Sequence, residues 1–125
     1  MAAVLLVDDP QLVREGIKQL LEDNCTVCGE ASNGREAIQK VLELKPDVVL
    51  MDISMPEMNG IEATRQIRRE APTTKVILLS MHDSPQVIKL VKEAGADAYV
   101  PKAGSTEYLR ETIKSVLETQ TCLRA

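Results

Sequence analysis

Five short apolar runs punctuate the chain: AVLLV at residues 3–7, TVCGEA at 26–31, DVVLM at 47–51, KVILL at 75–79 and DAYV at 97–100. Each has the length of a β-strand and is bounded by polar or turn-forming residues. The first, third and fourth are apolar without alternation, the pattern of strands in a parallel sheet covered by helices on both faces. The second and fifth carry polar or small residues and suit the edges of such a sheet. Between the runs the apolar period lengthens to that of a helix. Val13, Gly16, Ile17, Leu20 and Leu21 trace one face of a helix that begins near Pro10, a favourable first-turn residue. Ala37, Ile38, Val41 and Leu42 trace a second after the turn at Asn33 and Gly34, and Pro46 stops it. A third follows Asn59 and Gly60 and ends before Pro72. A fourth starts near Ser84 and Pro85, packs Val87, Val91 and Ala94, and ends at Gly95 as a left-handed cap. In a fifth, Leu109, Ile113, Val116 and Leu117 face inward behind Ser105 as N-cap, with Glu107 in the first turn.

This alternation, joined by right-handed crossovers, predicts an α/β fold: one (βα)5 doubly wound domain over residues 1–125. Ile88 and Leu90 on the fourth helix, with Tyr99 on the adjoining edge strand, do not all fit one inward stripe and offer a contact surface for a partner. Composition narrows the function classes. The formal net charge is −4 and the basic residues are scattered, so the electrostatic footprint of a nucleic-acid binder is missing. In the densest basic stretch, RQIRRE, Arg65, Arg68 and Arg69 are flanked by Glu62 and Glu70 at helical spacing and read as a solvated, ion-paired face. No apolar run is long enough to span a bilayer, and the opening MAAVLLVDD carries no basic leader, which gives a cytoplasmic expectation without membrane contact. Cys25 and Cys28 form a C-x-x-C, but no second pair completes a zinc site and His82 is the only histidine. They also lie before and inside a strand, whereas a redox pair normally opens a helix.

The polar residues at the strand ends carry the chemistry. Open α/β sheets bind ligands outside the carboxyl ends of their strands, where the strand order reverses. Asp8 and Asp9 follow the first run, Asp52 the third, Ser80 the fourth and Lys102 the fifth. Singly, each reads as a helix cap or a solvated side chain. Together they gather three acids at one rim, where two full charges about 4 Å apart repel by about 4 kcal/mol at an effective dielectric of ~20. A cation belongs there. Carboxylate oxygens suit Mg²⁺, which is typically held by one or two carboxylates plus phosphate oxygens, and a lysine beside such a site fits an anionic ligand. The chain has neither G-x-x-x-x-G-K-[ST] nor G-x-G-x-x-G to cradle a nucleotide, which leaves phosphate attached covalently to a carboxylate. Asp52 ends the run VVLMD, and the turn ISMPEMNG beyond it leaves room for a phosphoryl donor.

The stretches LLVDDPQLVREGIKQLLE, VVLMDISMPEMNGIEATRQIR, VILLSMHD and GADAYVPKAGS resemble a two-component response-regulator receiver domain across essentially the whole chain. LVREGI, MPEMNG and LSMHD most resemble its NarL/FixJ, LuxR-type branch, whose receivers usually precede a helix-turn-helix DNA-binding domain. The resemblance implies a flavodoxin-like sheet of order 2-1-3-4-5, with Asp52 as phosphoacceptor from a partner histidine kinase. It further implies Mg²⁺ as cofactor, with Asp9 as direct ligand, Asp8 as water-mediated ligand, and Asp52 and the Ser54 backbone carbonyl completing the protein's share of the shell. Ser80 resembles the hydroxyl that swings to the phosphoryl group, Lys102 the ammonium that pairs with it, and Tyr99 the aromatic switch coupled to Ser80. Ser54 and His82 occupy the positions that tune loss of the phosphoryl group. Homodimerisation is a further expectation. The chain departs from the branch at Pro10, where histidine is common, and at Pro101, which precedes the lysine.

On this reading the protein is a switch, an enzyme only toward its own phosphorylation and dephosphorylation. No DNA-binding module follows TQTCLRA, so DNA is reached only through an output domain absent here, or the chain is a stand-alone receiver acting on a protein partner. Two rivals differ in class. A Mg²⁺-dependent aspartyl-phosphate phosphatase needs a substrate cap, and generally a D-x-D after the first strand where this chain has VDDPQ. A flavin-binding doubly wound domain is weakened by the absence of Phe and Trp and by the acidic rim.

Overall fold

The computed structural model describes residues 2–7, 25–53, 59–80, 85–101 and 111–116, with the backbone alone at residues 2, 25, 26, 80 and 101. Five strands, β1 (Ala2–Val7), β2 (Cys25–Ala31), β3 (Val48–Asp52), β4 (Lys75–Ser80) and β5 (Ala98–Pro101), pair in parallel in the order β2-β1-β3-β4-β5. The three uninterrupted apolar runs are the central strands, and the two more polar ones are the edges. Helix α1 (Gly34–Leu44) links β2 to β3, α2 (Gly60–Glu70) links β3 to β4, and α3 (Pro85–Ala94) links β4 to β5. They correspond to the second, third and fourth predicted helices. The first predicted helix lies outside the described residues, as do Ser105, Leu109 and Leu117 of the fifth; residues 111–116 of that fifth helix are helical and bury Ile113 and Val116.

Every central-strand side chain finds cover because successive residues point to opposite faces. Leu5, Val7, Val49, Met51, Val76 and Leu78 pack with Ala37, Ile38, Val41, Ala63, Ile67 and Val91 of the three helices. Val4, Leu6, Val48, Leu50, Ile77 and Leu79 form the other layer with Ile113 and Val116. Burying each such aliphatic side chain contributes about 1.5–3 kcal/mol, so a one-residue slip of β3 would disrupt both layers. At the amino edge Asp47 ties three strands: its carboxylate accepts the Ala3 N–H at 2.8 Å, its own N–H donates to Ala3 at 2.9 Å, and its carbonyl accepts from Lys75 at 3.1 Å.

The helix ends follow from local chemistry. Both α1 and α2 open on Asn-Gly-x-Glu-Ala. Asn33 accepts the Glu36 N–H at 2.8 Å and Asn59 the Glu62 N–H at 2.9 Å, each an N-cap closing on the third helical residue. Gly95 ends α3 at φ +93°, with its N–H on Lys92 and the Ala96 N–H on Val91, the pairing of a Schellman cap.

Two expectations need correction. Leu42 is 46% exposed: Gly34, Ala37, Ile38 and Val41 already form the buried stripe, and residue 42 lies about a quarter-turn from it. The RQIRRE face is only partly solvated. Arg65 and Glu62 make an exposed pair at 3.7 Å, whereas Arg68 turns inward and bonds Asp97 just before β5. Cys28 is the residue skipped where the β1–β2 register shifts between Val4–Val27 and Leu5–Gly29. It is a half-buried free thiol whose pKa burial pushes up, against the low pKa a reactive thiolate needs.

Replacing either cap, Asn33→Ala or Asn59→Ala, is expected to cost about 1 kcal/mol, and the double variant about 2 kcal/mol, in urea unfolding.

Candidate functional site

The site is built from strand register. Val7, Met51, Leu78 and Tyr99 form one row across β1, β3, β4 and β5. One residue further, Asp52 pairs with Leu79 and Leu79 with Val100; then Ser80 pairs with Pro101. The strands therefore finish within two residues of a single line, and β1 and β3 flank the point where strand order reverses. β1 ends one residue before Asp8 and β5 one residue before Lys102.

Asp52 is the only charged residue of a strand otherwise made of Val48, Val49, Leu50 and Met51, and it is 6% exposed. A nearly buried carboxylate is costly to keep without partners. Its backbone is held on two sides. The next residue, Ile53, donates to the Leu79 carbonyl at 3.0 Å and accepts from the Gly60 N–H at 2.9 Å, which anchors β4 on one flank and the start of α2 on the other. Gly60 is the residue that sequence reasoning missed. A Cβ there would sit 2.5 Å from the Asp52 carbonyl oxygen and 3.0 Å from the Ile53 Cα, so only glycine lets α2 begin against the strand that carries the acid. Nothing in the pattern Asn-Gly-x-Glu marks that contact, because Asn33-Gly34 opens α1 with the same letters. Thr64, fully buried, donates its hydroxyl to the Gly60 carbonyl at 2.7 Å and fixes this first turn.

Tyr99 is half-buried on β5 and packs against the layer containing Met51 and Leu78, two residues short of Pro101. Ser80 ends β4 as expected, described through its backbone. Asp8, Asp9, Ser54, His82 and Lys102 lie outside the described residues. Among the described residues no three of His, Cys, Asp and Glu come together as a metal-binding group. The described member of the expected donor set suits a hard cation nonetheless: Asp52 ends its strand in a carboxylate, and the thiol of Cys28 belongs to the body of β2. Among these residues no helix is long and apolar enough to cross a membrane.

Comparison with known proteins agrees with this architecture. The family model described as the response regulator receiver domain matches residues 4–114. The chain is 43% identical over 122 residues to the response regulator UvrY of Escherichia coli, covering 96% of this chain and 56% of that protein. It is 40% identical over 126 residues to the transcriptional regulatory protein YdfI of Bacillus subtilis, covering 99% and 59%. It thus spans little more than half the length of these curated relatives. A LuxR-family two-component response regulator from Aurantimonas superposes with a TM-score of 0.91 at 36% identity, over 95% of this chain and 86% of that one. With its 2-1-3-4-5 sheet and these relatives, the chain belongs to the response regulator receiver family of two-component systems, in its NarL/LuxR-type branch.

Proposed function

We propose that the chain is a single receiver unit over residues 1–125 that switches on phosphorylation of Asp52 by a partner histidine kinase. The observation that carries this reading is the register just described: a 6% exposed aspartate ends the central strand, at the rim where β1, β4 and β5 also finish. In the transfer, an Asp52 oxygen bonds to phosphorus as the bond to the kinase imidazole nitrogen breaks; that nitrogen keeps the electron pair and takes a proton. Asp8, Asp9, Asp52 and the Ser54 carbonyl would hold Mg²⁺. When bound, this ion neutralises charge on the phosphoryl oxygens. Lys102 supplies a second positive charge to those oxygens, and Ser80 donates a hydrogen bond. Tyr99 follows Ser80.

Phosphorylation adds nearly two negative charges in a confined place. Moving a two-state equilibrium from 1:99 to 99:1 takes about 5.5 kcal/mol of differential interaction, a good part of which charge-assisted bonds from Ser80 and Lys102 would provide. The face that reports the change is α3, β5 and the helix containing residues 111–116, where Leu90 is 42% exposed. Output then runs through homodimerisation and a helix-turn-helix domain outside these residues, in keeping with a relative named as a transcriptional regulatory protein.

Three outcomes test the proposal. With Mg²⁺ and a small phosphodonor, one phosphoryl group per chain is expected by intact mass, lost on Asp52→Asn and on chelation of the metal; repeated turnover of varied substrates would instead mark a phosphatase, and a yellow purified protein a flavin carrier. Gly60→Ala must push the Asp52 backbone, so it should cost about 1–3 kcal/mol in unfolding and slow phosphorylation by an equal amount of phosphodonor. Exchanging Ser54 and His82 together should change the phosphoryl lifetime; an unchanged lifetime removes both from the mechanism.

A further inference from the structure

Arg68 lies in the last turn of α2, and its side chain reaches two other elements. Its stem crosses the C-cap of α3: a Cβ on Gly95 would come within 2.8 Å of Arg68 Cγ. Its guanidinium donates to the carbonyl oxygens of Pro72 and Thr74 and, at 2.9 Å, to Asp97 Oδ2. The same Oδ2 accepts the Val76 N–H at 2.8 Å, while the Asp97 N–H donates to the Val76 carbonyl at 2.8 Å. Lys75 Nζ stands 3.7 Å from Asp97 Oδ1. The end of α2, the cap of α3 and the residues that lead into β4 and β5 thus meet around one side chain and its partner Asp97. The side chains of both ion-pair partners are less than a quarter exposed, 23% and 22%, although Asp97 lies at the surface, so this pair is screened less than the Arg65–Glu62 pair, whose side chains are 46% and 61% exposed. Arg68 Nε is buried without an acceptor among the described residues, so the guanidinium is held through its two terminal nitrogens.

β5 is four residues, about 13 Å of strand, running from this brace to the rim where phosphorylation acts. β5 pairs with β4 at all four residues, and this brace adds a side-chain anchor at the end away from the rim. We propose that Arg68 is a positioning residue that makes the start of β5 and the cap of α3 a fixed pivot, so that the response at the rim becomes a tilt of the α3–β5 face. This rests on the switch reading above.

Amide NMR spectra with and without beryllofluoride, a mimic of the phosphoryl group on a carboxylate, test it. In the unsubstituted protein Tyr99 and Val100 should shift strongly while Gly95, Ala96 and Asp97 stay nearly still. In Arg68→Met beryllofluoride should still bind, but the shifts should spread to Gly95–Asp97. Without the ion, the Val76 and Asp97 amides should exchange with solvent about tenfold faster, the equivalent of about 1.4 kcal/mol. Methionine keeps the apolar stem and removes the buried unpaired N–H; should it fail to fold, Asp97→Asn keeps an oxygen for Val76 but loses the charge, and should behave the same way. Equal shifts at Gly95–Asp97 and Tyr99–Val100 in the unsubstituted protein, or an unchanged pattern in the folded variant, would overturn the pivot. No response to beryllofluoride anywhere in the unsubstituted protein would overturn the switch reading itself.

Discussion

The pairing of β3 between β1 and β4 is the constraint on which the rest depends. All five of its residues are buried, and its neighbours match it residue for residue from Val48 to Asp52 on the β4 side. Backbone polar groups in such a position must be satisfied within the ladder, since no water reaches them. The same ladder fixes which side chains face which helical layer. An acid at the end of this strand therefore inherits its position from the aliphatic layers packed on both sides of the sheet.

Rigidity of this kind has a local counterpart in Gly60. Helix α2 begins so close to the Asp52 carbonyl that a methyl group does not fit, and Thr64 closes the turn from within. At the far end of the same helix Arg68 braces β5 and α3. One eleven-residue helix thus meets the backbone beside Asp52 with its first residue and Asp97, just before β5, with its ninth. A single helix therefore has contacts at both places.

Much of this was legible in the sequence. Uninterrupted apolar runs marked the central strands because burial on both faces removes the need for polar residues, and the polar runs marked the edges for the converse reason. Asn33, Asn59 and Gly95 announced helix ends because their roles depend on nearby backbone. Asp52 and Ser80 were visible as strand-terminal residues. What escaped was non-local. Leu42 resembled its inward neighbours in type but not in angle. Arg68 looked like a solvated helix residue because its partner, Asp97, is 29 positions away. The steric demand at Gly60 was hidden because it comes from Asp52 and Ile53, across a turn.

Asp47 and Asp97 occupy matching places, each just before a strand and each bonded to a main-chain N–H near the start of the neighbouring strand: Ala3 in β1 and Val76 in β4. Two donors that would otherwise point outward at the blunt end of the sheet are consumed by the protein's own acids. Both donors belong to interior strands of the sheet, so at that end an incoming anion or strand would have to displace an acid of the protein itself to reach either of them.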